Sequence, residues 1–245
     1  MKLSVIIPVF NEASTIREVL QKVRQVNLEK EIIIVNDGST DETAKILERE
    51  KEEDPVTIVH NSLINIGKGA GVRIGLEYAR GDVVIVQDAD LELDPEEYPL
   101  LLAPIERGET DVVYGSRFLS LSPWRLLAKW KIRYLANLFL TALTNLLFGS
   151  RLTDMETAYK AIRLDILRKL RLEGIGFEIE PEITAKLLRL GYSIEEVPIA
   201  YHPRTLEEGK KMRSFDGIRA VFCLFKYRFQ KQEKFIRSNP VCVSS

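Results

Sequence analysis

Cysteine and histidine are scarce in this 245-residue chain, at two each. Cys223 and Cys242 have no further ligand at zinc-like spacing, so neither a disulfide framework nor a zinc site is expected, and a reducing compartment fits best. An excess of charge of one sign is also missing. Lys and Arg number 35 against 36 Asp and Glu, which excludes the broad basic field of a general nucleic-acid binder. Nor is there an apolar run of bilayer length, because the most apolar stretch, 135–148, is interrupted by Asn137, Thr141, Thr144 and Asn145. The chain enters a strand-like run at once, without a basic leader or small-residue cleavage site, so no secretory signal is expected. The final four residues depart from a prenylation box because Ser244 is not aliphatic. Repeats and low-complexity tracts are absent. What remains is a chain with 45% hydrophobic residues, enough for one large core over 1–230 followed by a flexible tail at 231–245.

Five strand-like runs, at 3–9, 31–36, 56–60, 83–87 and 111–114, alternate with helical patterns at 13–25, 40–53, 69–80 and 95–107. That alternation predicts an α/β fold, a mostly parallel sheet with helices on both faces. Ser39, Thr40, Asp41 and Glu42 read as a capping box opening the second helix. Asp94, Pro95, Glu96 and Glu97 read as an N-cap, a proline at the first helical position and an acidic first turn. Ligands of open α/β sheets gather at the carboxyl ends of the strands. Here those ends are polar: Asn11 and Glu12, Asn36 and Asp37, His60 and Asn61, then Asp88 and Asp90. Each has a plainer explanation alone, since Asn36-Asp37-Gly38 is good turn chemistry and Asn11 can cap the first helix. Their convergence points to one crevice.

Asp88-Ala89-Asp90 ends the apolar run 83–86. Carboxylates beside a buried strand are costly without a counter-charge, and a divalent cation is the expected one. Asp88, Asp90 and Glu92 recur at every second residue, which in an extended segment places them on one side as hard oxygen ligands for Mg²⁺ or Mn²⁺. An acidic turn that merely precedes a helix is the alternative, although that helix has its own cap at Asp94. The Gly-rich segment 65–71 follows the third strand, so its backbone N–H groups and Lys68 can face a phosphate. Its small residues can equally let helix and sheet approach closely. It is neither a P-loop nor a dinucleotide fingerprint, because no Ser or Thr follows Lys68 and the glycine spacing differs.

Residues 124–148 predict a helix in which Trp124, Arg125, Lys129, Trp130, Lys131 and Arg133 precede a more apolar part. The segment 217–230 repeats that character, with Arg219, Lys226 and Arg228 among Val221, Phe222, Leu224, Phe225 and Phe229. Both are expected to be amphipathic helices in peripheral contact with a membrane interface, with ordinary core helices as the alternative.

In their order along the chain, Ile7-Pro8-Val9-Phe10-Asn11-Glu12, Val35-Asn36-Asp37-Gly38-Ser39-Thr40-Asp41, Gln87-Asp88-Ala89-Asp90 and Gly115-Ser116-Arg117-Phe118 resemble the inverting GT-A glycosyltransferases of family 2. The stretches 152–160 and 176–182, and Glu196-Val197-Pro198-Ile199 followed by Arg204-Thr205 and Glu208-Gly209-Lys210-Lys211, are similar to the branch that includes dolichyl-phosphate mannose and glucose synthases. The resemblance covers about residues 3–228. It implies a GT-A, Rossmann-like fold of the nucleotide-diphospho-sugar transferases, with a nucleotide-sugar half at 1–118 and an acceptor and membrane-facing half at 119–230.

The same resemblance implies roles for single residues. Pro8, Val9, Asn11, Glu12 and Asp37 would contact the nucleoside, where carboxylates suit ribose hydroxyls and base N–H donors. Asp88, Ala89 and Lys68 would lie near the ribose or diphosphate. Asp90 and Glu92 would bind Mn²⁺ or Mg²⁺ bridging the phosphates, Glu92 standing where such synthases more often carry Gln. His202, Arg204, Lys210 and Lys211 belong to a loop that can close over the donor, its cations stabilising the departing diphosphate and His202 serving as a metal or phosphate ligand, or else standing as a solvent-exposed or packed histidine. Ser116 and Arg117 would face the acceptor, where a guanidinium can clamp a phosphate. Asp154 would sit beside the reacting centre, accepting a proton from a hydroxyl acceptor or orienting a phosphate acceptor.

The implied reaction is metal-dependent, inverting transfer of a hexose, mannose favoured, from GDP-mannose or UDP-glucose to a polyprenyl phosphate of the dolichyl type, in the cytoplasm at the cytosolic face of a membrane and without nucleic acid. Transfer to a glycan or lipid-linked sugar hydroxyl, and a non-catalytic sugar-nucleotide-binding subunit, remain as alternatives. A sugar nucleotidyltransferase fits less well, since it needs a Gly-rich, Arg-containing loop where this chain has Pro8-Val9-Phe10-Asn11.

Overall fold

The computed structural model describes residues 1–54, 57–119, 132–203 and 214–231, with backbone alone at 132, 133 and 214–216. The segment 124–131, Arg204, Lys210, Lys211 and Cys242 therefore lie outside the described residues.

Among the described residues seven strands form one sheet: β1 (Leu3–Val9), β2 (Lys30–Asp37), β3 (Ile58–Ser62), β4 (Val83–Val86), β5 (Val112–Ser116), β6 (Lys160–Arg163) and β7 (Glu195–Pro198). Their spatial order is β3-β2-β1-β4-β6-β5-β7. All neighbours run parallel except β6, which is antiparallel to both β4 and β5. The helices are α1 (Ile16–Gln25), α2 (Thr43–Glu53), α3 (Lys68–Tyr78), α4 (Tyr98–Glu106), α5 (Ile132–Phe148), α6 (Leu164–Lys169), α7 (Ile179–Arg189) and α8 (Ser214–Phe229).

The period-two rule of strands distributes the core. Val5, Ile7, Ile34 and Ile85 point to one face, under Ile16, Leu20 and Val23 of α1 and Leu101 and Ile105 of α4. Their neighbours Ile6, Ile33, Val35 and Val84 point to the other, under Val72 and Leu76 of α3 and Ile183 and Leu187 of α7. The apolar runs are continuous because both faces are covered, as a central parallel sheet requires. A third cluster joins α5, α7 and α8 through Leu140, Ala185, Ala220, Leu224 and Tyr227.

Three local expectations are corrected. The sheet gains β6 and β7, four-residue strands whose short apolar content gave no alternation to read. The capping box does not form, because Ser39 Oγ accepts from Asn11 N at 3.0 Å and Asp41 Oδ1 accepts from Thr43 N at 3.0 Å instead. Asn11 does not cap α1 either, its Oδ1 accepting from Thr40 N at 2.8 Å. The cap at Asp94 does form, through Glu96 N at 3.1 Å, and opens a 3-10 turn at Pro95–Glu97 that runs into α4. Among the described residues no helix is long and apolar enough to cross a membrane.

Candidate active site

The carboxyl ends of β1, β2 and β4 meet as expected, and their loops are tied to one another. Asn11, at φ 50°, and Glu12 present backbone N–H groups to Ser39 Oγ and Thr43 Oγ1, both at 3.0 Å. Thr15 Oγ1 donates to Ala89 O at 2.7 Å, linking the start of α1 to the acidic loop after β4. Asp37, buried at the end of β2, accepts from Ile66 N at 2.9 Å and Gly67 N at 2.7 Å, so it pins the Gly-rich segment across the crevice. Val9 and Ala89 are themselves core residues, so only their backbone can reach a ligand.

The Gly-rich segment serves close packing. A Cβ on Gly71 would come within 3.1 Å of Pro8 Cβ, and one on Gly75 within 2.4 Å of Ile6 Cγ2. The first turn of α3 is already engaged, since Ala70 N donates to Ile175 O at 3.1 Å. The expected row of phosphate-facing N–H groups is thus reduced by a carbonyl that comes from the loop before α7.

The acidic loop differs from the extended arrangement expected. It turns, with Leu91 at φ 61° and Asp90 Oδ1 accepting from Glu92 N at 3.1 Å. Asp88 has a counter-charge within the protein: Lys68 Nζ lies 2.7 Å from its Oδ1 and 3.3 Å from Glu180 Oε1. Glu180 also holds Lys160 at 2.6 Å. The result is a relay of alternating charge, Asp88–Lys68–Glu180–Lys160, partly exposed at Asp88 and Lys68 and buried at Glu180 and Lys160. Burial opposes the charge on Lys68, yet Asp88 and Glu180 outweigh it and its pKa is raised. Burial likewise opposes the charge on Glu180, and the two lysines hold its pKa down. Removing one member of such a set leaves the others uncompensated, which is the costly case for buried ions.

Gln87 anchors the acidic loop from beneath. Its Oε1 accepts from Tyr98 and Tyr159 hydroxyls at 2.7 and 2.6 Å, while its Nε2 donates to Asp88 O at 3.0 Å and Leu93 O at 3.4 Å. Above the loop, Tyr201 donates to Glu92 Oε2 at 2.7 Å and His202 N to Glu92 O at 2.9 Å.

Asp90 and Glu92 are hard oxygen donors on one turn. Mg²⁺ characteristically takes one or two carboxylates and completes its shell with phosphate and water, so this pair fits part of such a shell. Among the described residues no three His, Cys, Asp or Glu side chains gather into a group able to hold a metal by themselves. His202, exposed and tied through its backbone, is therefore not assembled with Asp90 and Glu92 into the expected ligand set.

On the other side of β5, Arg117 and Asp154 form one unit. Asp154 Oδ2 accepts from Arg117 N at 3.0 Å and Arg117 Nε at 2.6 Å; its Oδ1 accepts from Arg117 Nη2 at 2.7 Å and Asn137 Nδ2 at 3.1 Å. Asp154 is fully buried, and these four bonds fill the roughly four acceptor sites of a carboxylate. Burial works against the Arg117 charge, but Asp154 more than compensates and raises its pKa. Glu196 of β7 fixes the turn that presents Asp154, accepting from Thr153 N at 2.8 Å and Asp154 N at 3.0 Å. The Arg117 guanidinium carbon also lies 5.1 Å from the Tyr201 ring centroid, so Tyr201 connects this unit to Glu92. Ser116 is corrected: it is fully buried, its hydroxyl bonded to Thr153 Oγ1 at 2.6 Å and accepting from Phe118 N and Leu119 N, so it shapes the turn that carries Arg117.

Glu180, Lys160, Glu196, Gln87 and Tyr201 were not assigned roles from sequence. One signal was available: Glu178, Glu180 and Glu182 recur among Phe177, Ile179 and Ile183, so α7 has to bury carboxylates that demand lysine partners.

A seven-stranded, mostly parallel sheet of this order, with helices on both faces, is the GT-A fold of glycosyltransferases. Residues 4–171 match the family model described as Glycosyl transferase family 2, and the chain belongs to that family of glycosyltransferases. It is 33% identical over 223 residues to an undecaprenyl-phosphate mannosyltransferase of Micrococcus luteus, covering 86% of this chain and 87% of that protein. It is 29% identical over 239 residues to a dolichol-phosphate mannosyltransferase of Pyrococcus furiosus, covering 93% of this chain and 64% of that protein's length. Among solved structures, glucosyl-3-phosphoglycerate synthase of Mycobacterium tuberculosis, crystallised with Mn²⁺, UDP and phosphoglyceric acid, has the same fold at TM-score 0.70 and 21% identity, over 97% of this chain and 80% of that one.

Proposed function

We propose that this glycosyltransferase moves a hexose, mannose by preference, from a nucleotide-diphosphate sugar such as GDP-mannose or UDP-glucose to a polyprenyl phosphate, with the aid of a divalent cation and at a membrane surface. The observation that carries this reading is the saturation of Asp154. A hydroxyl acceptor would call on Asp154 to take its proton, and with four hydrogen bonds this carboxylate has no site left for one. A phosphate monoester is already anionic and needs only orientation. Arg117, held in a fixed pose by Asp154, offers it a pre-organised guanidinium, whose remaining N–H donors are not used by Asp154.

On the donor side, Asn11, Glu12 and Asp37 line the nucleoside end of the crevice. Asp90 and Glu92 would hold Mg²⁺ or Mn²⁺, which when bound neutralises the diphosphate and steadies its departure. Lys68 sits at the junction of Asp88 and Glu180, where a diphosphate can compete for its ammonium group. The relatives' names, a mannosyltransferase to undecaprenyl phosphate and one to dolichol phosphate, support the acceptor class.

Membrane contact is supported by the outer faces of α5 and α8. The inner face of α8 buries Ala220, Cys223, Leu224 and Tyr227, while Ile218, Phe222, Phe225 and Phe229 form an exposed stripe at helical spacing. Leu135, Leu138, Phe139 and Leu146 do the same on α5. A helix whose outer face is polar would be the ordinary core helix; these have apolar stripes flanked by Arg219, Lys226 and Arg228, as interfacial helices do.

The test is transfer from radiolabelled GDP-mannose and UDP-glucose to a short polyprenyl phosphate, with Mn²⁺ and with EDTA. Activity with one donor is expected, lost with EDTA and reduced about a hundredfold or more in Asp90→Ala. Undiminished transfer in EDTA would remove the cation from the mechanism, and transfer only to glycan hydroxyls would overturn the acceptor.

A further inference from the structure

Glu156 lies between Asp154 and β6, and none of the roles above uses it. Its Oε1 is buried without a hydrogen-bond partner among the described residues, a condition that buried polar atoms avoid unless water or a ligand completes them. Glu97 and Glu178 also have one such oxygen, but each engages backbone N–H groups with the other, of Ala200 and of Ile175 and Gly176 respectively. Both lie among loop contacts that account for them.

The surroundings of Glu156 are the two halves of the site. Along the chain it is flanked by Asp154, which holds Arg117, and by Thr157, whose carbonyl accepts from Nζ of Lys160, the lysine paired with Glu180. Glu180 is the carboxylate that shares Lys68 with Asp88, on the diphosphate side. Arg117 and Asp154 are the acceptor side. A sugar that leaves a diphosphate for an acceptor has to pass between those two sides, and Glu156 is carried on the segment that joins them. Asp154 and Glu180 are each already paired with a cation, Arg117 and Lys160, and the group that suits the remaining oxygen is a hydroxyl, since it donates to a carboxyl oxygen.

We propose that Glu156 positions the transferred sugar, its Oε1 accepting a hydrogen bond from one sugar hydroxyl so that the ring is held between diphosphate and acceptor. This inference rests on reading the site as a nucleotide-sugar transferase.

Steady-state transfer tests it, using whichever of GDP-mannose or UDP-glucose the wild type turns over, together with its monodeoxy analogues, in the wild type, Glu156→Gln and Glu156→Ala. The alanine variant is expected to lose about tenfold to a hundredfold in kcat/KM, while the glutamine variant, which keeps an acceptor oxygen, loses under about fivefold. One deoxy analogue should cost the wild type about as much as the alanine change costs with the parent sugar, and the two losses should not multiply. Unaltered affinity for the nucleoside diphosphate in all three proteins shows that the fold and the nucleotide site are intact; should the alanine variant not fold, the analogue series in the wild type and the glutamine variant decides. Losses that multiply for every analogue, or kinetics unchanged in both variants, would overturn the inference and leave the transferase reading standing. A fall in kcat of about a thousandfold in Glu156→Gln would also overturn it, by making the residue a proton acceptor. A wild type that binds no nucleotide sugar would sink the transferase reading first, and this inference with it.

Discussion

Glu156 shows how a single buried carboxyl couples to pH. Burial raises its pKa to about 7, with Lys160 pulling down and Glu180 pushing up. In the unfolded chain the group ionises near the ordinary 4.5. The folded state therefore holds a proton that the unfolded state has released, so the group's contribution to stability is intact below about 4.5 and is lost as the pH climbs through about 7. Glutamine at this position cannot titrate. Melting temperatures of the wild type and Glu156→Gln across pH 5 to 8 should show the wild type losing ground to the variant as pH rises, and a constant gap would refute the shift. At this scale the sequence was partly readable. Arg117 and Asp154 stood in stretches whose resemblance marked them, but their mutual pairing joins positions 37 apart along the chain. Asp88 was read as a metal-side carboxylate awaiting a cation, and only the fold brought Lys68 against it.

Between residues and the whole molecule, loops set the crevice. Gly38 adopts φ +69°, and a Cβ there would lie 2.4 Å from the carbonyl carbon of Ile64. Its neighbour Asp37 simultaneously grips Ile66 N and Gly67 N, so β2 and the segment before α3 form a single wall. Gly38→Ala combines a left-handed backbone cost of about 1–2 kcal/mol with a backbone clash. A fall in Tm of about 4 °C or more is expected by calorimetry, with weaker nucleotide binding by titration calorimetry; an unchanged Tm would show that the wall is not rigid. Long, strongly patterned elements such as β1 were legible to the residue, at 3–9. Helix starts were less so, because Ser39 and Thr40 found tertiary partners in Asn11 before they could cap α2. The strands β6 and β7 have four residues each, too few to display a period.

For the molecule as a whole, the exposed stripes of α5 and α8 predict adhesion to lipid. Phe222 and Phe229 are 71% and 75% exposed, and each removes a large apolar area from water on entering an interface. The double change Phe222→Asp with Phe229→Asp should reduce co-sedimentation with anionic vesicles about tenfold or more while leaving Tm in solution unchanged. Equal vesicle binding by the double variant would place the contact elsewhere.

Sequence by itself determined the fold class, the family resemblance and the polar strand ends, because hydrophobic period and turn chemistry are local and repeat along the chain. It also placed Asp90 and Glu92 on one loop. Tertiary structure alone decided the charge relay through Lys68 and Glu180, the saturation of Asp154 and the incomplete oxygen of Glu156. Those depend on which side chains meet across the sheet, and the pairing of charges in a buried site follows from packing distances that no spacing along the chain encodes.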